Sequence, residues 1–452
     1  MSLLIKNATV LTVDGKGTIH EPGAVYVEGK RIVDVGPSEA VVARHPQAFR
    51  TIDGRGKVVA PGFVNIHSHV GYTVFRGRSE DAGFKAPTGL YFPMSTIIAP
   101  AERAAIGALN YVELLRSGCT TVMELEEDVE GLAPFVEKLG VRSAMGEMIG
   151  DADPDRMVQG EFVFDPRANA AQLERARGFA ERWHGRADGR ITAILAPNMT
   201  ISSSREQLRS MRAVADKMGL RMTIHLGWSQ FEHEAARKVH GAGPFEFARD
   251  NGLLGRDVVA THCYVIGERD IDILAEAGAH VAHCPLMNAF RGLIAPVNAF
   301  RRRGINVALG IDNMFGDYFD VLRAAVICAR IKTEDPVALL STDVLEMATM
   351  GGARAMGLEH EIGSLEPGKR ADLIMLDYEA LGLQPVLDPV QNLVYHAHAR
   401  DVDLVMVDGA VLVDGGAIAT VDRDAVIDAA KRASRAAWSR FEAKYGGPIA
   451  AA

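Results

Sequence analysis

The sequence predicts an α/β fold in which short strands from both ends of the chain make one β-domain, while a long array of alternating strands and helices inserted between them closes into a barrel. Three observations carry this expectation. Short alternating segments punctuated by DG and EGK turns occur at residues 3 to 52 and return at 371 to 420. Between about 60 and 365, strands of five to seven residues alternate with helical periodicity. Histidines and one aspartate recur at the ends of those inner strands.

Size and composition set the frame. A chain of 452 residues exceeds one ordinary core, and at roughly 150 residues per domain it divides into about two or three. With 48% hydrophobic and 24% charged residues it is neither fibrous nor largely disordered. The formal charge of -9, with no basic run longer than Arg301-Arg302-Arg303, excludes a nucleic-acid binder. Cys119, Cys263, Cys284 and Cys328 form no CxxC pair, so neither a disulfide framework nor a zinc knuckle is expected, and a reducing cytoplasm is. No stretch approaches 18 apolar residues, and MSLLIKNATVLTVDG alternates where a secretory segment would be continuous. Neither a membrane span nor export is expected.

Strands at 3 to 9, 11 to 13, 24 to 27, 31 to 35 and 49 to 52 are expected to form a small antiparallel sheet, and ADLIMLD (371 to 377) with DVDLVMVDGAVLVDGG (401 to 416) repeats that grammar. Inside, Ile106, Leu109, Val112 and Leu115 give a helix over 102 to 116, followed by the strand CTTVMEL at 119 to 125. The rhythm continues with a helix at 204 to 218, a strand at 220 to 225, DVVATH at 257 to 262, a helix at 268 to 277, AHVAHC at 279 to 284 and INVALGID at 305 to 312. Right-handed βα units around a buried parallel sheet follow. An open doubly wound sheet is the rival reading, but no GxGxxG follows a first strand.

The polar residues at the strand ends point to chemistry. His67 and His69 close VVAPGFVNIHSH, and the period of two sends both rings to one side. His225 ends LRMTIH, His262 ends DVVATH, His283 nearly ends AHVAHC and Asp312 closes INVALGID. Such residues meet at the C-terminal face of the strands, where barrel enzymes place their chemistry. A lone HxH reads equally well as two structural histidines. Four strand-end imidazoles with one carboxylate instead suit one Zn²⁺, or another borderline divalent ion such as Fe²⁺, with water activated on it as the nucleophile. His67, His69, His225 and Asp312 are assigned as direct ligands, and His262 as a fourth imidazole ligand or a hydrogen-bond partner of that water. Asp312 is also expected to act as general base.

PGFVNIHSHV, TIHL, ATHC, VAHCPLMN and ALGID, followed by IGSLEPGKRADLIMLD, resemble the amidohydrolase superfamily, and within it the branch of adenosylhomocysteine deaminases, triazine chlorohydrolases and guanine deaminases. The resemblance runs from the N-terminal strands to VMVDGAVLVDGG. It implies a metal-dependent hydrolase of C–N bonds other than peptide bonds. Its fold is a distorted TIM (β/α)₈ barrel at 59 to 365 beside a composite β-sandwich from 1 to 58 and 366 to 452, and it implies a homodimer. By the same resemblance His67, His69, His225, His262 and Asp312 match a mononuclear metal site, and His283 matches a catalytic histidine beside the nucleophilic water and the substrate. No lysine ends a middle strand, which separates the chain from the carbamylated-lysine dinuclear branch.

One departure redirects the substrate expectation. In the ring deaminases of that branch, the metal histidine of the fifth strand is followed three residues later by a Glu that carries a proton to a ring nitrogen. Here HLGWSQFEHE puts Trp228 at that place, and an indole cannot relay a proton in this way. The expected substrate is therefore a small molecule with a urea, carbamate or amide-like C–N bond and an apolar or aromatic portion. The alternative is a ring aminohydrolase acting on a purine, pterin or triazine, or a chlorohydrolase, with Gln230 or Glu232 folding back to restore the relay. A non-catalytic metal-binding protein is the remaining class.

Phe84, Tyr91, Phe92, Met94, Trp228, Phe290, Met314 and Phe315 flank the metal motifs and are expected in the pocket wall. Glu124, with Glu126, Glu127, Asp128, Glu130 and Glu147, reads either as a solvated acidic edge or as a handle for an amine on the substrate. Asn198 and Asn313 are uncharged candidates for orienting substrate atoms. Cys263 and Cys284 adjoin site histidines and are expected to pack. The segment 422 to 444 is expected to form an amphipathic helix that caps a domain.

Overall fold

All seven residues of the strand Phe63–His69 are buried, the mark of a strand covered on both faces. In the computed structural model, which describes residues 2–446 apart from the side chains of Phe84, Thr88 and Val158, it is the first strand of a parallel sheet. Hydrogen bonds join it in turn to Cys119–Glu126, Arg142–Ile149, Ile191–Pro197, Arg221–Leu226, Val258–His262, His280–His283 and Val307–Leu309. The chain then passes Gly310 and pairs Asp312–Asn313 with Ser68 and His69 of the first strand, closing a distorted (β/α)₈ barrel. The expected single strand INVALGID is thus two pieces. Gly310 runs so close to the first strand that a Cβ there would fall 2.8 Å from the Cβ of His67. The backbone of Asp312 is left-handed, φ 70°, and the ladder changes neighbour at this point.

Helices Pro100–Arg116, Pro166–Trp183, Arg205–Met218, Gln230–His240, Glu268–Ala277 and Tyr318–Thr333 alternate with the strands. Their ends follow local chemistry: Ser204 accepts the Gln207 N–H at one terminus of Arg205–Met218, and Gly219 turns left-handed at the other.

A second sheet takes strands from both ends of the chain. Ser2–Leu11, Ile19–Glu28, Arg31–Pro37, Arg50–Asp53 and Lys57–Pro61 join Leu373–Asp377, Val402–Val407, Ala410–Asp414 and Ala417–Ile418. The two ends meet where Lys57–Pro61 pairs antiparallel with Leu373–Asp377. Leu3, Val25 and Ile32 share one core with Leu373, Leu404 and Met406, so the sheet folds over itself as a composite sandwich. It is not wholly antiparallel. Arg50–Asp53 and Lys57–Pro61 run parallel to Ser2–Leu11, because the helix Ser38–Arg44 carries the chain back across before they begin.

Buried charge ties sandwich to barrel. Arg142, on the third barrel strand, lies 2.6 Å from Asp408 and 3.1 Å from Asp372, and Arg370 joins Asp408 at 3.0 Å. The last helix, Arg423–Tyr445, returns to the barrel mouth. Its Trp438 Nε1 donates to the Val74 carbonyl at 2.8 Å, and Trp438 and Phe441 share a core with Val74, Phe75, Leu90 and Tyr91. Among the described residues no helix is long and apolar enough to cross a membrane.

Candidate metal centre and catalytic cavity

Four strand ends bring five side chains to one point. The ring of His67 lies 4.8 Å from that of His69 and 5.0 Å from that of His225, nearly perpendicular to both. His69 Nδ1 is 2.7 Å from the Leu125 carbonyl, and His225 Nδ1 is 2.7 Å from the Asn198 carbonyl. A carbonyl only accepts, so each Nδ1 carries the proton and each Nε2 keeps a bare lone pair. Those two Nε2 atoms nevertheless face each other at 3.1 Å. Lone pairs at that distance repel unless a cation stands against both, and metal–nitrogen bonds of about 2.0–2.1 Å set neighbouring ligands about 3 Å apart.

The remaining donors complete the set. His67 Nε2, His262 Nδ1 and Asp312 Oδ2 have no hydrogen-bond partner among the described residues. His67 Nε2 is 3.9 Å from Asp312 Oδ1, and His262 Nδ1 is 4.0 Å from Asp312 Oδ2. Asn313 steadies the carboxylate by donating its amide to Asp312 Oδ1 at 3.0 Å. Burial pushes the imidazoles below their usual range, His225 to about 4, with neighbouring imidazoles and Arg291 adding to the effect. They are neutral at pH 7, the form a metal ion needs. Burial raises the Asp312 carboxyl, opposed by the charges of Arg291 and His225. The backbones of His262 and Asp312 are both left-handed, φ 76° and 70°, local strain where these side chains turn inward. Four imidazoles and one carboxylate with orphaned lone pairs fit one divalent ion of the zinc type.

The ligands open into a cavity lined also by Tyr72, Tyr91, Phe92, Asn198, Trp228 and Arg291. Beside it lies an apolar chamber of about 460 Å³. Pro87, Phe92, Met199 and Trp228 line both spaces.

Residues 58–412 match the Amidohydrolase family. This chain belongs to that family. Residues 23–48 also match the imidazolonepropionase-like composite domain of bacteria. As an amidohydrolase the protein is a metal-dependent hydrolase of C–N bonds, and its relatives act on small molecules. It is 34% identical to a 5-methylthioadenosine/S-adenosylhomocysteine deaminase of Desulforudis audaxviator over 96% of this chain and 99% of the relative. It is 32% identical to a 5'-deoxyadenosine deaminase of Methanothermobacter thermautotrophicus over 96% and 98%. A zinc-bound crystal structure of an adenosine deaminase from Xanthomonas campestris superposes with a TM-score of 0.87 at 27% identity, covering 97% of this chain and 98% of that one. The zinc complex of an atrazine chlorohydrolase from Arthrobacter aurescens shares the fold, with a TM-score of 0.85 at 22% identity over 96% and 100%.

Of the expected wall of this amidohydrolase, Tyr91, Phe92, Trp228, Asn198 and Asn313 stand around the metal cavity. Phe315 does not; it packs against Phe290 at 5.2 Å, behind Tyr91. Met94 and Met314 are buried in the core beneath, and the side chain of Phe84 lies outside the described residues. Glu124 is a scaffold residue, accepting from Ser68 Oγ at 2.6 Å and from the Val70 N–H at 2.9 Å. Both its oxygens hold the turn after His69, and burial raises its carboxyl well above the usual range. Neighbouring acids pair with arginines: Glu126 with Arg103, Glu147 with Arg175 and Glu130 with Arg182, each at 2.7 Å. The charges of these three are met within the protein.

Glu232 does not reach the cavity either. It accepts from the Trp228 N–H at 3.1 Å and from Thr200 Oγ1 at 3.0 Å, bracing the turn beneath the indole, and burial raises its carboxyl to about 8. Gln230 faces the apolar chamber. His283 is buried with both ring nitrogens unpartnered among the described residues, and burial lowers it to about 3. Cys263 and Cys284 are free and buried, their thiols pushed up by burial. Sequence reasoning passed over Tyr72, Met199 and Arg291. Tyr72 stacks on His69 at 5.1 Å, and its place in the turn after HSH was a usable signal. Arg291 ends the short helix Pro285–Phe290, and nothing in its spacing from His283 marks it.

Proposed function

We propose that this amidohydrolase displaces an amino group from a ring carbon of a nitrogen heterocycle, using one divalent ion per chain, zinc ahead of Fe²⁺. What carries the reading is the end-to-end match, at 32 to 34% identity, to deaminases named for adenosine-type compounds. It reverses the order of expectations that the sequence alone gave, where an acyl substrate came first. An ion held by His67, His69, His225, His262 and Asp312 supplies Lewis acidity and brings the ionisation of water near neutral pH. Asp312, with Oδ2 free of protein donors, takes the proton of the attacking water. His283 exchanges that proton with the leaving nitrogen. Trp228, Phe92 and Tyr91 grip the flat ring, and Asn198 and Asn313 orient its polar edge.

A second reading is favoured by one residue. Trp228 replaces the proton-relaying Glu of the branch it resembles, and a urea, carbamate or amide needs no ring-nitrogen relay. A panel of aminopurines, pterins, aminated and chlorinated triazines, aryl ureas, carbamates and amides, read by mass spectrometry in ¹⁸O-water, decides between them. Label entering a ring carbon with release of an amine supports the first reading. Label confined to acyl products overturns it in favour of the second. Free, buried cysteines support a reducing cytoplasm, and the exposed apolar side chains of Ile327, Ile331, Val337 and Leu340 support a homodimer.

A further inference from the structure

One charged side chain in the cavity is used neither by the ligand set nor by the proposed reaction. Arg291 follows the helix Pro285–Phe290 and lines the same space as His69, His225, His262 and Asp312. Among the described residues no carboxylate forms an ion pair with it. Burial opposes its charge, while Asp312, Tyr264 and Tyr91 favour it. Asp312, however, belongs to the metal site. Arginine keeps its charge at any working pH and presents a planar fork of donors suited to oxygen anions. Arg291 is half-buried, and an anionic partner stabilises a guanidinium so placed. The adjoining chamber is the opposite environment. Met157, Met199, Ile201, Trp228, Val265 and Leu293 line it, and among the described residues no charged one does.

We propose that Arg291 is the subsite for a substrate oxygen that is anionic or becomes anionic during hydrolysis, and that the apolar chamber receives an uncharged hydrophobic body attached to it. The inference rests on the hydrolase reading of the site and narrows its substrate class. An oxo- or carboxylate-bearing compound with an aryl or alkyl tail fits these two walls; a polyhydroxylated sugar does not. The same residue answers the loss of a carboxyl at position 228. As the water oxygen bonds to carbon, the electron pair of the C=O, or of a ring C=N conjugated to an oxo group, moves onto oxygen. When the C–N bond breaks the pair returns, and the departing nitrogen takes the proton removed from water. A relay acid would neutralise the transient charge with a proton, whereas a fixed guanidinium stabilises it in place.

Calorimetry on the zinc-loaded protein tests this with two probes of one shape, biphenyl-4-carboxylate and biphenyl-4-carboxamide. The carboxylate should bind at least about tenfold more tightly than the amide, and Arg291→Met should cut carboxylate affinity by about tenfold while leaving the amide within about twofold. Arg291→Lys should recover part of the preference, and Trp228→Ala should weaken both probes alike. Arg291→Gln replaces Arg291→Met if the latter folds poorly, and zinc content is measured for each variant. An unchanged carboxylate preference in Arg291→Met at equal zinc content overturns the proposal, as does equal binding of the probes by the wild type. Added guanidinium should restore part of the turnover of Arg291→Ala, and absence of any rescue counts against direct contact with the substrate. If the ¹⁸O panel rejects ring substitution while the carboxylate preference still depends on Arg291, the proposed function falls and this subsite stands.

Discussion

His69 and His225 aim their Nε2 atoms at each other across 3.1 Å while a backbone carbonyl, of Leu125 and of Asn198, fixes the opposite nitrogen of each ring at 2.7 Å. Neither ring has a proton to offer the other, so the contact suits an edge of a coordination shell. Strands of the barrel wall set these tautomers, so the pair of donors is ready before an ion arrives.

Protein purified without added metal should carry about one divalent ion per chain, counted by plasma mass spectrometry. His225→Ala should lower ion affinity by at least about tenfold, and exhaustive chelation of the wild type should lower Tm, because the ion stabilises only the folded chain. Full occupancy in His67→Ala and His225→Ala would remove the assignment.

Asp312→Asn should keep the fold and lower kcat by at least roughly 10²-fold, since an amide cannot accept the proton of the attacking water. The check is the pH–rate profile with zinc content measured in parallel. A near-native profile would take Asp312 out of the base role.

Trp228→Ala should raise KM for aryl-bearing substrates by about tenfold with a smaller change in kcat, because the indole forms a wall shared by the metal cavity and the chamber. Steady-state kinetics on one aryl and one methyl analogue separates wall contact from chemistry. Equal losses on both would remove the aryl wall contact as the role of Trp228.

Glu232 gives a pH dependence with a definite sign. Its folded carboxyl sits at about 8 against a usual 4.5, chiefly through burial. Between those values the folded chain holds a proton that the unfolded chain has lost, so its contribution is complete below about pH 4.5 and disappears as pH rises through about 8. Tm measured from pH 5 to 9 should fall less steeply with rising pH in Glu232→Gln than in the wild type. Parallel curves would refute the raised carboxyl.

Arg142→Ala should destabilise the protein by about 3–5 kcal/mol, because it leaves Asp372 buried without its arginine and Asp408 with Arg370 alone. Chemical denaturation should show a lower midpoint while the zinc content of the native state stays the same.

The candidate ligand cluster was legible because its members end strands, and βα repetition alone places strand ends on one face. His67, His225, His262 and Asp312 needed no knowledge of side-chain packing. The corrections concern residues whose roles depend on such packing. Glu124 and Glu232 are carboxylates near the mouth in sequence, yet Ser68, Val70, Thr200 and the Trp228 backbone hold them inside the scaffold. Phe315 is two residues beyond Asn313, but the left-handed turn at Met314, φ 65°, carries it behind the wall. Arg291 enters the cavity because a six-residue helix happens to end there, and no periodicity announces such an end.

The indole of Trp438 reaches across 364 positions of sequence to the Val74 carbonyl, and this gives the enzyme an order of assembly. The barrel strands are complete at Asn313, but the helix that covers Val74, Phe75 and Tyr91 begins only at Arg423. At about 5–20 residues per second, a ribosome needs on the order of ten seconds to add the intervening stretch. During that interval the apolar residues at the lip of the cavity lack the helix that covers them. The rim of the cavity is therefore finished by residues made well after the barrel, and a chain cut shortly before Arg423 would hold the barrel strands without a settled mouth.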